Sequence, residues 1–190
     1  LTSFISLQAV PNPVTLDVDA RNNFFGVTGG DLDPTAMSIG ELYEVEDKIS
    51  HELDTASLGL VRVKSANVYV TTNSGSVVRG VNAASETETV NINTGTYTGV
   101  DNEVTIIKNL SINGTGIPEF VMLTMNGTGK TLDVDGTFKL STSLTMTDGL
   151  INTDATNTIL LAPGATTGTG VANSYVNGPL KAQIASTTPT

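Results

Sequence analysis

Cysteine is absent from the chain, and so is tryptophan. Without cysteine there is no disulfide framework, no zinc–thiolate site and no thiol nucleophile. Histidine occurs once, at His51, which argues against a multi-histidine metal centre and against a histidine-based triad. Charge is scarce as well: 15% of residues are charged, and 9 Lys and Arg stand against 19 Asp and Glu, a net charge of −10. A chain with that balance lacks the basic face that nucleic acid requires, so no nucleic-acid partner is expected. No apolar run approaches the roughly 18 residues of a membrane span. The chain also opens without a methionine and without the charged and apolar regions of a secretory leader. Starting at Leu1 and stopping in a polar stretch over 185–190, it reads as a segment of a longer protein.

Polarity is carried instead by Thr, Asn, Ser and Gly. Threonine alone is about one residue in six, and the mean hydropathy is near neutral at +0.07. The 190 residues suffice for one domain or two small ones.

Along the chain, Phe4, Ile5 and Leu7 form one short extended piece, and Val14, Leu16 and Val18 a second. Pro11-Asn12-Pro13 separates them, since proline is poorly tolerated inside a ladder. From Ser38 to His51 the pattern predicts a helix. Ser38 and Glu41 have the spacing of a capping box, and Ile39, Leu42, Val45 and Ile49 recur on one side. Glu41, Glu44, Glu46 and Asp47 are expected on the opposite, solvated side. Leu60, Val61 and Val63 start a strand. A second helix is predicted over Ser76 to Ser85, with Val77, Val81 and Ala84 as its apolar side.

Beyond Glu88 a small unit recurs, an apolar-x-apolar triplet closed by a Gly, Asn or Asp turn. It appears as Val90-Asn91-Ile92, Leu110-Ser111-Ile112, Leu123-Thr124-Met125, Leu132-Asp133-Val134 and Leu144-Thr145-Met146, with Ile159-Leu160-Leu161 as a looser copy. Each triplet can bury only two side chains, because alternate residues of a strand point to opposite faces. Alone it has no core. Stacked on its neighbours it forms a continuous one, the physical meaning of such repeats. Glycine and asparagine suit the corners, and β-branched residues suit the strands. The fold expected is therefore all-β, a coiled solenoid with one or two short capping α-helices. The competing reading is a β-sandwich, which also has many short strands and frequent turns.

The run Gly80-Val81-Asn82-Ala83-Ala84-Ser85, Thr89-Val90-Asn91-Ile92, Gly95-Thr96-Tyr97-Thr98, Val104-Thr105-Ile106 and Asn109-Leu110-Ser111-Ile112-Asn113-Gly114 resembles the opening of right-handed parallel β-helices of the pectin-lyase-like superfamily. The later part resembles large secreted surface proteins of Bacteroidota-type bacteria. The segment from Asn22 through Val63 resembles the linker by which one β-helix ends and the next begins. These resemblances imply a right-handed parallel β-helix divided as follows: 1–26, the last coil of an upstream β-helix; 27–64, a linker with a capping helix at 38–51; 65–184, the β-helix itself; and 185–190, a tail or the start of a next module. They also imply an adhesin-like protein exported to the extracellular space or outer cell surface, by type IX secretion.

Relatives in that superfamily include lyases, in which calcium-binding Asp clusters sit beside an Arg or Lys base. Here the arginines, Arg21, Arg62 and Arg79, fall outside the triplet region, and Lys108, Lys130 and Lys139 are scattered singly. Asp17 and Asp19 stand at i and i+2 on an expected strand and so share a face; Asp31 with Asp33, and Asp133 with Asp135, have the same spacing. Calcium wants six to eight oxygens, which no pair supplies alone, so the pairs read as solvated acids. No cofactor and no metal residue is expected, with calcium left open.

Phe24 and Phe25 are expected to plug the open end of a coil. His51 reads as a partner of the helix dipole, and Gly127-Thr128-Gly129-Lys130 lacks the full phosphate-loop pattern. The sequons at Asn113 and Asn126 read as turns. Asp54-Thr55-Ala56 resembles an O-glycosylation site of Bacteroidota-type secreted proteins, which makes Thr55 the modification candidate. The function expected is that of a non-enzymatic structural or adhesive module. Its partners would be neighbouring β-helix modules, surface polysaccharide or secretion machinery. A carbohydrate-active β-helix, a polysaccharide lyase or tailspike-like depolymerase, is the alternative.

Overall fold

The computed structural model describes residues 4–7, 16–168 and 170–184. Val14, the Pro11–Pro13 break and the expected tail at 185–190 lie outside them. The chain winds into a parallel β-solenoid of about five turns, with three strand stacks per coil. The first stack holds Asn67–Val70, Thr89–Ile92, Leu110–Gly114, residues 131–136, residues 149–152 and Ser174–Asn177. A second holds residues 119–120, residues 138–140, Ile159–Leu161 and Leu180–Ala182. Glu103–Ile106, residues 122–125, residues 143–146 and Thr166–Thr167 make the third. Every pairing among these strands is parallel, as stacked coils require and as sandwich hairpins would not show.

The triplets do what two buried side chains per strand demand. Leu110, Ile112, Leu123, Met125, Leu132, Val134, Leu144 and Met146 all point into one core. They line up in columns. Val68 pairs with Val90, Val90 with Ile112, and Ile112 with Val134; likewise Leu110 with Leu132, and Leu132 with Ile151. Phe120 and Phe138 pack against each other inside the core, with ring centroids 5.0 Å apart. Burying each such side chain contributes roughly 1.5–3 kcal/mol. That gain accrues only when coils stack, because each strand is too short to form a core alone.

Two helices sit at the N-terminal end. Helix α2, Val77–Ala83, follows the expected pattern: the Ser76 side chain accepts the Arg79 N–H at its start. It packs on Glu103–Ile106 and takes the place of a third-stack strand in its coil. Val77, Val81 and Ala84 cover the core there, together with Leu53 and Leu60. Gly80 permits the close approach, since a Cβ on it would lie 2.3 Å from Val70 Cγ2. This helix closes the coil opening, as expected of at least one of the two.

Helix α1, Ile39–Glu46, has the predicted capping box between Ser38 and Glu41. It is shorter than the sequence suggests. Asp47 caps it, and Ile49–Ser50 is instead a strand paired in parallel with Ile5–Ser6. The four-residue step from Val45 to Ile49 satisfied a helix on paper, but Ile49 is buried by strand stacking. Val61–Arg62 pairs in the same way with Val18–Asp19. Residues 20–48 therefore loop out between two stacked coils, carrying the hairpin of Phe25–Val27 and Gly30–Leu32 and then α1. Rather than covering the opening, α1 packs on the outer side of Asn67–Val70. There Tyr43 meets Tyr69 edge-on at 6.0 Å, within a second cluster that includes Leu42 and Val45. Tyr43 Oη and Thr115 Oγ1, 3.0 Å apart, tie the helix to a later coil.

Candidate functional site

The corner between the third and first stacks carries a groove of about 470 Å³, rimmed by Thr128, Lys130, Thr131, Asp148, Asn173 and Tyr175. Tight corners shape it. Gly149 sits at a φ of +97°, and a Cβ there would lie 2.6 Å from the Gly127 carbonyl oxygen. The Thr128 hydroxyl donates to Asp148 at 2.5 Å, and the Lys130 ammonium donates to Glu86 at 2.8 Å. Tyr175 is 46% exposed beside them. The groove thus offers one aromatic face and several hydroxyl and amide groups. Its acid and its base are each engaged by a neighbour. The segment Gly127-Thr128-Gly129-Lys130 lies in this groove as a β corner, not as a phosphate loop at a helix start.

The carboxylate pairs do not converge. Asp17 accepts the Leu60 N–H at 2.9 Å, while Asp19 holds the Arg21 guanidinium through two bonds of 2.8 and 2.7 Å. That guanidinium lowers the Asp19 carboxyl to about 2. Asp31 lies in the N-terminal hairpin, and Asp33 caps its own turn by accepting from Thr35. Asp133 accepts from Asn152 Nδ2 at 2.8 Å. Asp135 is exposed on the same outer side. Among the described residues no group of three His, Asp or Glu side chains could hold a metal ion. The arginines are engaged too: Arg62 Nη1 donates to both carboxylate oxygens of Glu88 at 2.9 Å, and Arg79 meets Asp101 at 3.2 Å.

Thr55 is exposed in the turn after His51, its N–H bonded to the His51 carbonyl at 3.0 Å. Phe24 and Phe25 behave oppositely. Phe25 is buried against Phe4 with ring centroids 5.5 Å apart, and Phe24 is 73% exposed. Asn113 takes part in a side-chain ladder rather than merely turning the chain, and Asn126 is exposed.

Sequence reasoning missed a buried polar pair. Glu46, expected on the solvated side of α1, is 3% exposed, and His51 is 1% exposed. His51 Nε2 lies 2.8 Å from Glu46 Oε1, and His51 Nδ1 accepts the Val61 N–H at 3.0 Å. An imidazole that accepts at Nδ1 is the neutral tautomer protonated at Nε2, so Nε2–H donates to Glu46. Burial pushes the Glu46 carboxyl up, against the His51 bond that pulls it down. Asp54 accepts the His51 backbone N–H at 2.9 Å. The pair cross-links the end of α1 to Val61–Arg62. It is sealed from substrate, and its role is that of a clamp in the fold rather than the dipole partner expected of His51.

The second unanticipated feature is the amide ladder on the outer side of the first stack. Asn91 Nδ2 donates to Asn67 Oδ1 at 2.9 Å, and Asn113 Nδ2 to Asn91 Oδ1 at 3.0 Å. A separate column, in register with Ser111 rather than Asn113, holds a second set: Asn152 donates to Asp133, and Asn177 Nδ2 donates to Asn152 Oδ1 at 3.1 Å. Its sequence signal was present: Val90, Ile112, Ile151 and Val176 are each followed by Asn. Comparison of the chain with protein-family models, with curated proteins and with solved structures finds no match.

Proposed function

We propose that this chain is a non-enzymatic structural or adhesive module of a large secreted or cell-surface repeat protein, with neighbouring β-helix modules as its first partners. The observation that carries the reading is the engagement of the charged groups. Proton transfer to or from a sugar needs two positioned titratable groups, and lyase chemistry needs a base beside a neutralising cation. Asp19, Asp133 and Asp148 are held by Arg21, Asn152 and Thr128, while Arg62, Arg79 and Lys130 are held by Glu88, Asp101 and Glu86. What remains along the outer strand faces is mostly Thr, Asn and Ser, which hydrogen-bond but do not take up protons at neutral pH, while the exposed carboxylates there, Glu103 and Asp135, have no ion-pair partner among the described residues. A stiff stack of coils suits a spacer or display element. The likeness to pectin-lyase-like β-helices and to Bacteroidota-type surface proteins supports an extracellular setting, with export by type IX secretion and Thr55 as a glycan acceptor.

The groove beside Tyr175 is the feature that favours the carbohydrate-active alternative, because an exposed ring with flanking hydroxyls and amides suits a sugar face. The test is incubation of the purified chain with polygalacturonate, alginate and host-type glycans, with and without calcium. Unsaturated products are followed by ultraviolet absorbance, and new ends by reducing-sugar assay. The module reading expects neither. Turnover that disappears in Asp148→Asn, or when Asp133 and Asp135 are both changed to Asn, would replace it with the enzyme.

A further inference from the structure

The coil over residues 49–62 joins the upstream strands to the main stack. Ile49–Ser50 lies on Ile5–Ser6 and Val61–Arg62 on Val18–Asp19, both in parallel. The carbonyl oxygens of Leu60 and Arg62 accept the Val18 and Ala20 N–H groups at 2.8 and 2.9 Å, which ties this coil to the one before it. Among the described residues Val61–Arg62 has no other strand partner. The Val61 N–H goes instead to His51 Nδ1, at 3.0 Å. A side chain stands where a strand carbonyl would serve in a regular coil.

The substitution has a chemical consequence, because a carbonyl takes up no proton near neutral pH and an imidazole does. His51 Nε2–H is already given to Glu46 at 2.8 Å. A second proton must therefore enter at Nδ1, on the bond from Val61. Two N–H groups would then face each other over 3.0 Å, neither with an acceptor. The ring cannot turn aside in place: Leu53, Leu60, Val63, Val68 and Tyr69 wall the pair and leave a space of about 10 Å³.

The surroundings nevertheless attract that proton. Glu46 and Asp47 approach from the end of α1 and Glu52 and Asp54 from the turn of His51 itself, while Asp17 and Arg62 act on Glu52 from the strand side. Burial pulls His51 down, but the bond to Glu46 and the charges of Glu46, Asp54 and Glu52 carry it above its ordinary value. A histidine raised in this way contributes stability below its unfolded value and loses it as pH rises through the folded one. That gain is open only to an arrangement in which Val61 has left Nδ1. Falling pH therefore favours the released arrangement over the clamped one.

We propose that His51 is a proton-operated latch on the joint between the upstream strands and the main stack. Neutral, it holds Val61 and stiffens the joint; protonated in mild acid, it releases Val61 and loosens residues 49–62, while the stack from Asn67 onward stays intact. The latch goes beyond the module reading and does not depend on it.

The imidazole nitrogens and backbone amides of the ¹⁵N-labelled chain are followed from pH 8 to pH 5. His51 is the chain's one histidine, so its signals are unambiguous. Hydrogen-exchange protection of Val61, Ile112 and Val134 is measured alongside. Expected at pH 8 is the Nε2–H tautomer, titrating within about one unit of 6.5. Val61 should lose protection by at least about tenfold with the same midpoint, while Ile112 and Val134 keep theirs. Glu46→Gln retains an acceptor for Nε2–H and removes a charge, so both midpoints should fall together by at least about half a unit. If that variant does not fold, Asp54→Asn, which keeps an acceptor for the His51 backbone N–H, makes the same test. An imidazole that takes up no proton above pH 5, Val61 protection that does not follow it, or parent midpoints in the charge-removing variant overturns the proposal. Loss of protection at Ile112 and Val134 together with Val61 also overturns it and assigns the acid response to unfolding of the whole solenoid. None of these outcomes bears on the glycan turnover assay.

Discussion

The His51 imidazole and the Glu46 carboxylate lie 2.8 Å apart with both side chains almost wholly sealed from solvent. They stand five positions apart, a distance in sequence that a continuing helix would not turn into contact. The break after Glu46 and the strand at Ile49–Ser50 bring His51 back beneath the helix end. Removing one partner leaves a buried carboxylate with no donor, which costs about 3–5 kcal/mol. His51→Ala should lose that much in urea unfolding. Glu46→Gln keeps an acceptor for Nε2–H and should lose about 1 kcal/mol. Equal losses in the two variants would show that the contact is incidental.

The core columns make a second prediction. Ile112 is fully buried between Val90 and Val134. Ile112→Ala should cost about 2–5 kcal/mol, the loss of transfer energy plus a cavity. Thr105, on the solvent side of Glu103–Ile106, sits in the same solenoid without such neighbours. Thr105→Ala should cost under about 1 kcal/mol. Comparable costs would mean that the triplets do not set the core.

The alternation inside each triplet is a local signal, and it made the stacked strands and their inward residues legible from sequence. The capping box at Ser38 and the Val77, Val81 and Ala84 stripe were legible for the same reason. Features that depend on register between coils were not. The partners Asn67, Asn91 and Asn113 stand 24 and 22 residues apart, and nothing in the local pattern of any one of them announces the next. Glu46 was hidden by its company: it lies among Glu41, Glu44 and Asp47, and only the turn of the chain at Asp47 separates it from them. The groove at Tyr175 is assembled from three successive corners, so its residues share no motif.

Asp19 gives a pH test with a definite sign. Its carboxyl falls from 3.8 to about 2, chiefly through the side-chain bond to Arg21. A group with a depressed value in the folded state contributes stability above its unfolded value, and loses it as pH falls through the folded one. The contribution is therefore present above about pH 4 and fades toward pH 2. Because both side chains are exposed, the effect on overall stability is small. The direct reading is the Asp19 side-chain carbon shift against pH. Its midpoint should lie near 2 in the parent and return toward 3.8 in Arg21→Gln. A midpoint near 3.8 in both would remove the ion pair from the solution structure.

Asn91 separates the ladder from ordinary burial. It is 3% exposed, gives Nδ2 to Asn67 Oδ1 and takes Asn113 Nδ2 on its own Oδ1. Asparagine can do both because it carries a donor and an acceptor on one flat group. Aspartate has the same shape without the donor. In Asn91→Asp one carboxylate oxygen still accepts from Asn113, but the other faces the Asn67 oxygen, and the charge is buried. Desolvation and the facing oxygen both favour the neutral acid, which can donate to Asn67, so the folded-state value is raised above the ordinary 3.9 or so. A raised carboxyl contributes its stability below the unfolded value and loses it as pH rises through the folded one. Asn91→Asp should therefore approach parent stability near pH 4 and fall about 2–4 kcal/mol below it by pH 8, as a charge is left without its donor. Asn91→Ala removes both bonds without adding a charge, and its deficit of about 2 kcal/mol should not change over that range. Thermal melts at pH 4, 6 and 8 distinguish them. A flat profile for Asn91→Asp would mean that the side chain reaches water and that the ladder does not bind the coils together.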